Sequence, residues 1–524
     1  MGKEGKHKKK PLTKHAVLGL ILAAVFILSA AVLFVFCVQL GMFPTAYFII
    51  FIIAVLLIAE AIVFANRWRA GGIVANVLSC FLIAACVLGC FYADITQGTV
   101  IEVQSDDYSM VYMGVYVMDD DPAEELEDAE GYNFGYDSMF DEYSTQEAIT
   151  YIEEALDGSL DLSEYENMYE MLDELSDGEV DAVILGESYM AVAEEIEDYE
   201  WLSEDVRELA RIEIKITEET EEAEAEAEAE EAASTIPETF IVYISGIDSY
   251  GEVSVVSRSD VNILAVVNTT TREILLVNTP RDYYVEFEAT NGGYDKLTHA
   301  GLYGIDQSED ALERLYDIEI DYYLRMNFTG FENIIDALGG VTVYSEYAFT
   351  AKSGETYVEG YNTLNGEEAL AFARERKAFT DGDIQRGKNQ MALIEAIIDE
   401  LTSFATVANF QAVMNAIGDS FETDMTTDEI NSLIKMQLSG GEDWSVETLS
   451  VTGDYGYAET YSAPGQLLSV VLPDEEEVEN AQEAIEEVLN AGTEEDEEEE
   501  EEEESESETE EFYYGDEYNE FDFD

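Results

Sequence analysis

The chain is poor in two things that most proteins of its size have in quantity. The first is cysteine: there are 4 in 524 residues. All of them (Cys37, Cys80, Cys86 and Cys90) fall inside long apolar runs near the amino terminus. The remainder of the chain therefore offers neither a disulfide framework nor a thiolate nucleophile. The second scarcity is positive charge. Lys and Arg number 24 against 116 Asp and Glu, a formal net charge of −92. So acidic a surface repels phosphodiester backbones, which argues against nucleic acid as a partner.

The scarce cations are unevenly placed. Eight lie in the first 94 residues, leaving 16 against 113 acids in the rest of the chain. Those first residues also hold the apolar runs, at 17–38, 47–65 and 73–93, interrupted only by Glu60. Each has about the ~20 residues that a membrane-crossing helix needs. The first run is too long for a cleaved signal peptide, and two more follow it. Lysines crowd the segment before the first run, and Arg67 and Arg69 follow the second. The loop QLGMFPTA between them has no basic residue. The basic bias predicts a multi-pass cell-membrane protein with a cytoplasmic amino terminus and extracellular carboxy-terminal domains.

Beyond residue 94 the pattern predicts α/β architecture in separate units. Residues 1–16 form a basic cytoplasmic segment and 17–94 three transmembrane helices. Residues 95–217 read as a small accessory α/β domain, with strands at SMVYMGVYVM, DAVILG and RIEIKIT and a helix at TQEAITYIEEAL. Its order resembles part of an extracellular solute-binding fold, in which DGEVDAVILGESY would end at a ligand cleft. Residues 218–238 are an acidic low-complexity linker, 239–490 a second α/β domain, and 491–524 an acidic tail expected to be disordered.

In the second domain, charged residues gather where strands end, the usual place for ligands in α/β folds. Asp248 closes one strand and Arg258 and Asp260 open the next. Arg281 and Asp282 follow a third, and Lys296 and His299 lie in DKLTHAGLYG. Two carboxylates without histidine or cysteine nearby suit Mg²⁺, although aspartate is also common in turns. A lone histidine before a helix is more often structural than catalytic. The helix ending in FARER and the segment DGDIQRGKNQ bring Arg374, Arg376, Lys377, Arg386 and Lys388 within fifteen residues. They either balance a helix dipole and surface acids or converge on a phosphate or carboxylate.

The ordered blocks GID, RSD, PRD, KLTHAG, YYLRMNFTGFENIIDALGGVTV, LNGEEALAFARER and D-x-x-R-x-x-x-Q resemble the LytR-CpsA-Psr family over roughly residues 239–475. That resemblance implies a mixed central sheet enclosing a lipid-binding tunnel. It implies transfer of a glycopolymer, teichoic acid or capsule-like, from a polyprenyl-pyrophosphate carrier to peptidoglycan through a phosphodiester bond. It also implies that Asp248 and Asp260 hold Mg²⁺. Arg258, Arg281, Arg374, Arg376, Arg386, Gln390 and Lys296 would grip the pyrophosphate. With Arg281 and Arg258 also in the catalytic group, Asp282 either accepts the attacking hydroxyl's proton or orients Arg281. One departure is that Asn389, Gln390 and Met391 stand where the family often has Arg-Gln-Gln, with Lys388 as a candidate replacement cation.

Other readings remain open at this point. The chain could bind and tether lipid-linked glycans without turnover, or hydrolyse a pyrophosphate at the same site. Direct regulation of DNA is disfavoured by external domains with no basic DNA-binding patch.

Overall fold

The computed structural model describes residues 14–102, 108–137, 141–217, 236–247, 249, 253–380, 382–401, 413, 416, 421–439 and 444–492. The expected acidic linker lies outside the described residues up to 235, and the acidic tail from 493.

The chain begins with helices α1 (Lys14–Leu40), α2 (Thr45–Ala65) and α3 (Arg69–Glu102). Among the described residues, three helical stretches are long and apolar enough to cross a membrane: Val17–Leu40, Thr45–Ala65 and Ala70–Gly98. Leu28, Leu57, Val74 and Phe81 stand exposed on their outer faces, as lipid-facing side chains must. Inside, Ala23, Ala30 and Ala59 let the backbones approach around Phe26, Ile62 and Cys86. The third helix runs past the expected end of the apolar run and stops at Glu102.

A mixed sheet follows. It comprises β1 (Tyr108–Met118), β2 (Asn133–Asp137), β3 (Asp161–Tyr165), β4 (Ala182–Gly186) and β5 (Val206–Thr217), in the order β3-β2-β4-β1-β5. Helices α4 (Glu142–Ala155), α5 (Met168–Asp177) and α6 (Glu187–Ala193) alternate with the strands. Asp141 and Asn167 cap α4 and α5 through side-chain oxygens, and Gly178 ends α5 at φ 73°. Strands β2 and β3 and helix α5 were not anticipated. Their short sequences, NFGYD and DLSEY, are too polar to stand out by alternation. The cavity beside the end of β4 measures only about 10 Å³, too small for a solute. The chain instead continues from β4 into α6, toward the second sheet.

That second sheet has six strands: β6 (Thr239–Ile247), β7 (Ser259–Asn268), β8 (Glu273–Asn278), β9 (Tyr322–Met326), β12 (Phe421–Thr423) and β13 (Ser445–Ser450). Strands β10 (Val341–Ser345) and β11 (Gly360–Leu364) pair antiparallel with each other outside it. The order is β12-β9-β6-β7-β8-β13, with β6 parallel to β9, β8 parallel to β13, and β7 antiparallel to both its neighbours. Strand β7 is buried along most of its length because helices cover both faces. On one face, α7 (Ile305–Tyr316) and α12 (Glu475–Asn490) pack on Tyr243, Leu264 and Val277. On the other, Met391 and Ile394 of α10 (Gly382–Leu401) cover Ile244, Ile263 and Leu276. Helices α8 (Phe328–Leu338) and α9 (Gly366–Arg374) add a third packed layer with α10 around Ile334, Phe372 and Leu393.

The two sheets and the membrane helices touch. Met110 of β1 forms an isolated bridge with Val255. Its N–H donates to the Ser254 carbonyl at 2.9 Å, and the Val256 N–H donates to its carbonyl at 2.8 Å. Tyr189, Met190 and Ile196 share a core with Leu302, Ala463 and Leu468. Helix α11 (Thr427–Leu438) rests on the ends of the membrane helices, with Ile430 and Ile434 against Leu40, Met42 and Ala93. The Tyr47 hydroxyl donates to the Leu438 carbonyl at 2.7 Å. The loop after α1 therefore lies on the same side as the six-stranded sheet.

Candidate active site

Because β6, β8 and β9 run parallel, their carboxy ends meet at one edge of the sheet, where the antiparallel β7 begins. Ile247 pairs with Ser259, so Arg258 and Asp260 sit at this edge. Arg281 arrives just past the end of β8. A buried hydroxyl network fixes the start of β7. The Tyr243 hydroxyl donates to Asn262 Oδ1 at 2.7 Å and bonds to Ser259 Oγ at 3.0 Å, and Ser245 Oγ bonds to the same Ser259 Oγ at 2.8 Å. Gly301 of KLTHAG is required here, because a Cβ would come within 2.6 Å of the Ser257 carbonyl just before Arg258.

The opposite wall comes from α9 and α10. Asn365 and Glu368 form a capping box that starts α9. Arg374 leaves its last turn and stacks over Phe328, 4.2 Å from the ring centroid. Glu375 then stops the helix and staples the next turn. Its carboxylate accepts from the Lys352 N–H at 2.7 Å and the Ala378 N–H at 2.8 Å. Sequence reasoning missed this residue, since one Glu between arginines carries no pattern. In α10 the Gln390 amide donates to the Ala373 carbonyl and the Asn389 amide to the Phe372 carbonyl, both at 3.4 Å. These bonds tie α10 to the end that carries Arg374. Gly387 packs against the end of β8, where a Cβ would collide with the Asn278 side chain. That close approach brings Arg386 alongside Asp260.

Between the walls lies a cavity of about 820 Å³. Its apolar lining includes Ile244, Val261, Met326, Phe331, Leu370, Leu393 and Ile397, and its charged lining includes Arg258, Arg281, Arg374, Arg376 and Arg386, with Asp260 and Gln390. The structure thus collects seven of the expected site residues on one cavity. An apolar chain fits the first surface, and an anionic group fits the second.

The remaining expected residues lie elsewhere. Asp248 is outside the described residues. Asp282 and Lys296 stand behind the arginines, with Lys296 Nζ 3.3 Å from Asp282 Oδ1. Arg281 Nη1 donates to Asp260 Oδ1 at 2.7 Å, whereas its Nε is 3.8 Å from Asp282 Oδ2. Asp260, not Asp282, is therefore the close partner of Arg281. Lys388 reaches out to Glu346 at 3.9 Å and does not line the cavity, so it does not replace a lost site cation. His299 is fully buried, with Nδ1 2.7 Å from Asp295 and 2.9 Å from Ser462 Oγ, an arrangement that holds a turn.

One contributor comes from outside the six-stranded unit. Glu195, just beyond α6, lines the cavity and contacts three cations. Its Oε1 lies 2.6 Å from Arg258 and 3.6 Å from Arg281, and its Oε2 lies 3.3 Å from Lys296. Burial would push its carboxyl up, but Lys296, Arg258 and Arg281 outweigh that and hold it at about 2. Burial likewise opposes ionisation of Asp260, yet Arg281, Arg386 and Arg258 hold it below the usual carboxylate range. Nothing in the run AVAEEIEDYE distinguishes Glu195 from its acidic neighbours.

Comparison with known proteins identifies the family. A model of the LytR_cpsA_psr family matches residues 209–486. A polyisoprenyl-teichoic acid–peptidoglycan teichoic acid transferase, TagU of Halalkalibacterium halodurans, is 35% identical over 217 residues, covering 41% of this chain and 70% of the relative. The corresponding TagT transferase of Bacillus subtilis is 34% identical over 236 residues, covering 43% of this chain and 71% of the relative. The crystal structure of B. subtilis TagV superposes with a TM-score of 0.42 at 25% identity, covering 49% of this chain and 99% of that one. By the extent of the family match and by these relatives, the chain belongs to the LytR_cpsA_psr family.

Proposed function

We propose that this protein transfers a glycopolymer of the teichoic acid class from a polyprenyl-pyrophosphate carrier to peptidoglycan, at the outer face of the cell membrane. One observation carries the reading: five arginines and an apolar wall line the same cavity. A lipid pyrophosphate is a ligand with both characters in one molecule. The relatives named as teichoic acid transferases support the substrate class.

In the proposed reaction a peptidoglycan sugar hydroxyl attacks the phosphorus joined to the glycan. The new phosphorus–oxygen bond forms as the bond to the bridging oxygen breaks. Polyprenyl phosphate leaves with the electron pair, and the product is a phosphodiester. The hydroxyl proton passes to solvent, and Asp282, which stands behind the arginines, would orient Arg281. Such a reaction depends mainly on positioning and charge neutralisation. Arg258, Arg281, Arg374, Arg376 and Arg386 would bind the phosphate oxygens as charge shifts toward the leaving group. The apolar wall would hold the first isoprene units and keep water from the phosphorus.

Asp260 offers only hard oxygens, one of them engaged by Arg281, and the phosphates would supply more. That donor set suits Mg²⁺, which typically takes one or two carboxylates with substrate phosphates and water. Asp260, with Asp248, would hold the ion, and its charge would help neutralise the pyrophosphate. The basic residues before α1 and after α2 support a cytoplasmic amino terminus with the two sheets outside.

The test uses the full chain reconstituted in lipid nanodiscs with a polyprenyl-pyrophosphate-linked oligosaccharide and peptidoglycan fragments, with and without Mg²⁺. Mass spectrometry should find a phosphodiester-linked adduct. A bound but unchanged lipid would overturn the transferase reading, and free glycan phosphate without adduct would make water the acceptor.

A further inference from the structure

Two of the cavity's arginines, and Lys296 behind them, meet a carboxylate from a different folding unit. Glu195 presents both its oxygens to Arg258, Arg281 and Lys296, much as a phosphate group would. Its side chain keeps 23% of its surface exposed, against 12%, 11% and 6% for those cations. Glu195 is therefore more exposed than the three cations it joins. We propose that Glu195 is an affinity-determining residue of the anion site, an internal carboxylate that occupies the place of one ligand phosphate and must swing aside for the ligand to bind. The inference rests on the pyrophosphate reading given above.

The placement is built into the fold. On either side of the Glu194–Glu195 pair, Ala193 and Ile196 are buried, and Tyr189, Met190 and Ile196 pack against Leu302, Ala463 and Leu468. Ser188 Oγ donates to the Val256 carbonyl at 3.0 Å, two residues before Arg258. The Met110–Val255 bridge joins the same loop to the five-stranded sheet. The element that delivers the carboxylate is thus locked to the segment that delivers the arginine.

This geometry also says how the carboxylate could leave. With the backbone anchored on both sides of Glu195, rotation about its own side-chain bonds is the movement that needs no rearrangement of the core. A monoanion would bring no more charge than the carboxylate it displaces. A diphosphate brings more, and its oxygens can span the cations that Glu195 now joins. Glu195 would thereby weaken binding of every anion and leave the site to ligands of higher charge.

The experiment measures binding of inorganic pyrophosphate, without added metal, to the full chain in nanodiscs by calorimetry. Wild type, Glu195→Gln, Arg258→Ala and Glu197→Gln are compared, Glu197 being an exposed acid nearby. The expected result is pyrophosphate binding about tenfold tighter in Glu195→Gln, unchanged in Glu197→Gln and weakened in Arg258→Ala. If Glu195→Gln fails to fold, Glu195→Asp keeps the charge but draws it back, and should show a smaller gain. Arginine-dependent binding that is unchanged or weaker in Glu195→Gln would overturn the inference alone and make Glu195 a structural tie. No arginine-dependent binding in any variant would overturn the pyrophosphate reading and this inference with it.

Discussion

Arg281 and Asp260 are joined by a 2.7 Å ion pair at the edge where β7 begins and β8 has just ended. The pair is held from several sides. Thr298 Oγ1 lies 3.3 Å from the same Asp260 oxygen, and Arg281 Nη2 lies 3.6 Å from Glu195. The guanidinium is thus oriented before any ligand arrives. Burial alone would lower its basicity, but Asp260, Asp282 and Glu195 raise it, so it stays charged throughout the accessible pH range.

Replacing Arg281 by Lys keeps the charge and loses the planar fork that reaches Asp260 and a phosphate together. Transfer should fall by about a hundredfold, the scale of removing one oriented donor from a charge-stabilising site. Initial rates in the nanodisc assay check this. A loss of less than threefold would mean that Arg281 is not part of the anion-binding group.

Arg376→Ala should also cut transfer strongly, because Arg376 lines the cavity just after α9 ends. Its melting midpoint should stay near that of wild type. Lys435 sits on α11, away from the cavity lining, and Lys435→Ala should leave the rate nearly unchanged. Equal effects from the two substitutions would point to a general charge effect.

Glu375→Gln tests the staple behind the arginines. Each carboxylate oxygen accepts a backbone N–H, and the amide can replace only one of those acceptors. The cost should be about 0.5–1.5 kcal/mol, the net contribution of one hydrogen bond, since both bonds are only part-buried. KM for the lipid substrate should rise more than kcat falls, since the staple holds a binding loop. A kcat loss at constant KM would contradict that role.

A pH prediction comes from Glu309 on α7. Burial pushes its carboxyl up to about 8, with Asp424, Glu313 and Asp306 adding to the effect. The folded state then binds a proton that the unfolded state releases above about 4.5. Stability should therefore fall as pH rises from about 4.5 to about 8. Glu309→Gln should flatten that slope and raise the melting midpoint at pH 8. Parallel melting curves for the two proteins from pH 5 to pH 8 would refute the assignment.

The linear chain determined much of this protein. Membrane-length apolar runs need no partner to be recognised, because the bilayer's thickness sets their length. Strands β6, β7 and β8 were legible because burial on both faces demands nearly continuous apolar residues. The arginines stood out because cations are rare in so acidic a chain, and most lie at or just past the end of an element. Tertiary structure alone decided how these pieces meet. The choice of Asp260 rather than Asp282 as partner of Arg281 depends on strand register. Glu375 and Gly387 acquire roles only through Lys352 and Asn278, which are distant in sequence. Glu195 reaches Arg258 across 63 positions of sequence, from a different folding unit. Composition and periodicity report on a residue's neighbours along the chain. A charge brought in by the docking of one unit on another leaves no local trace.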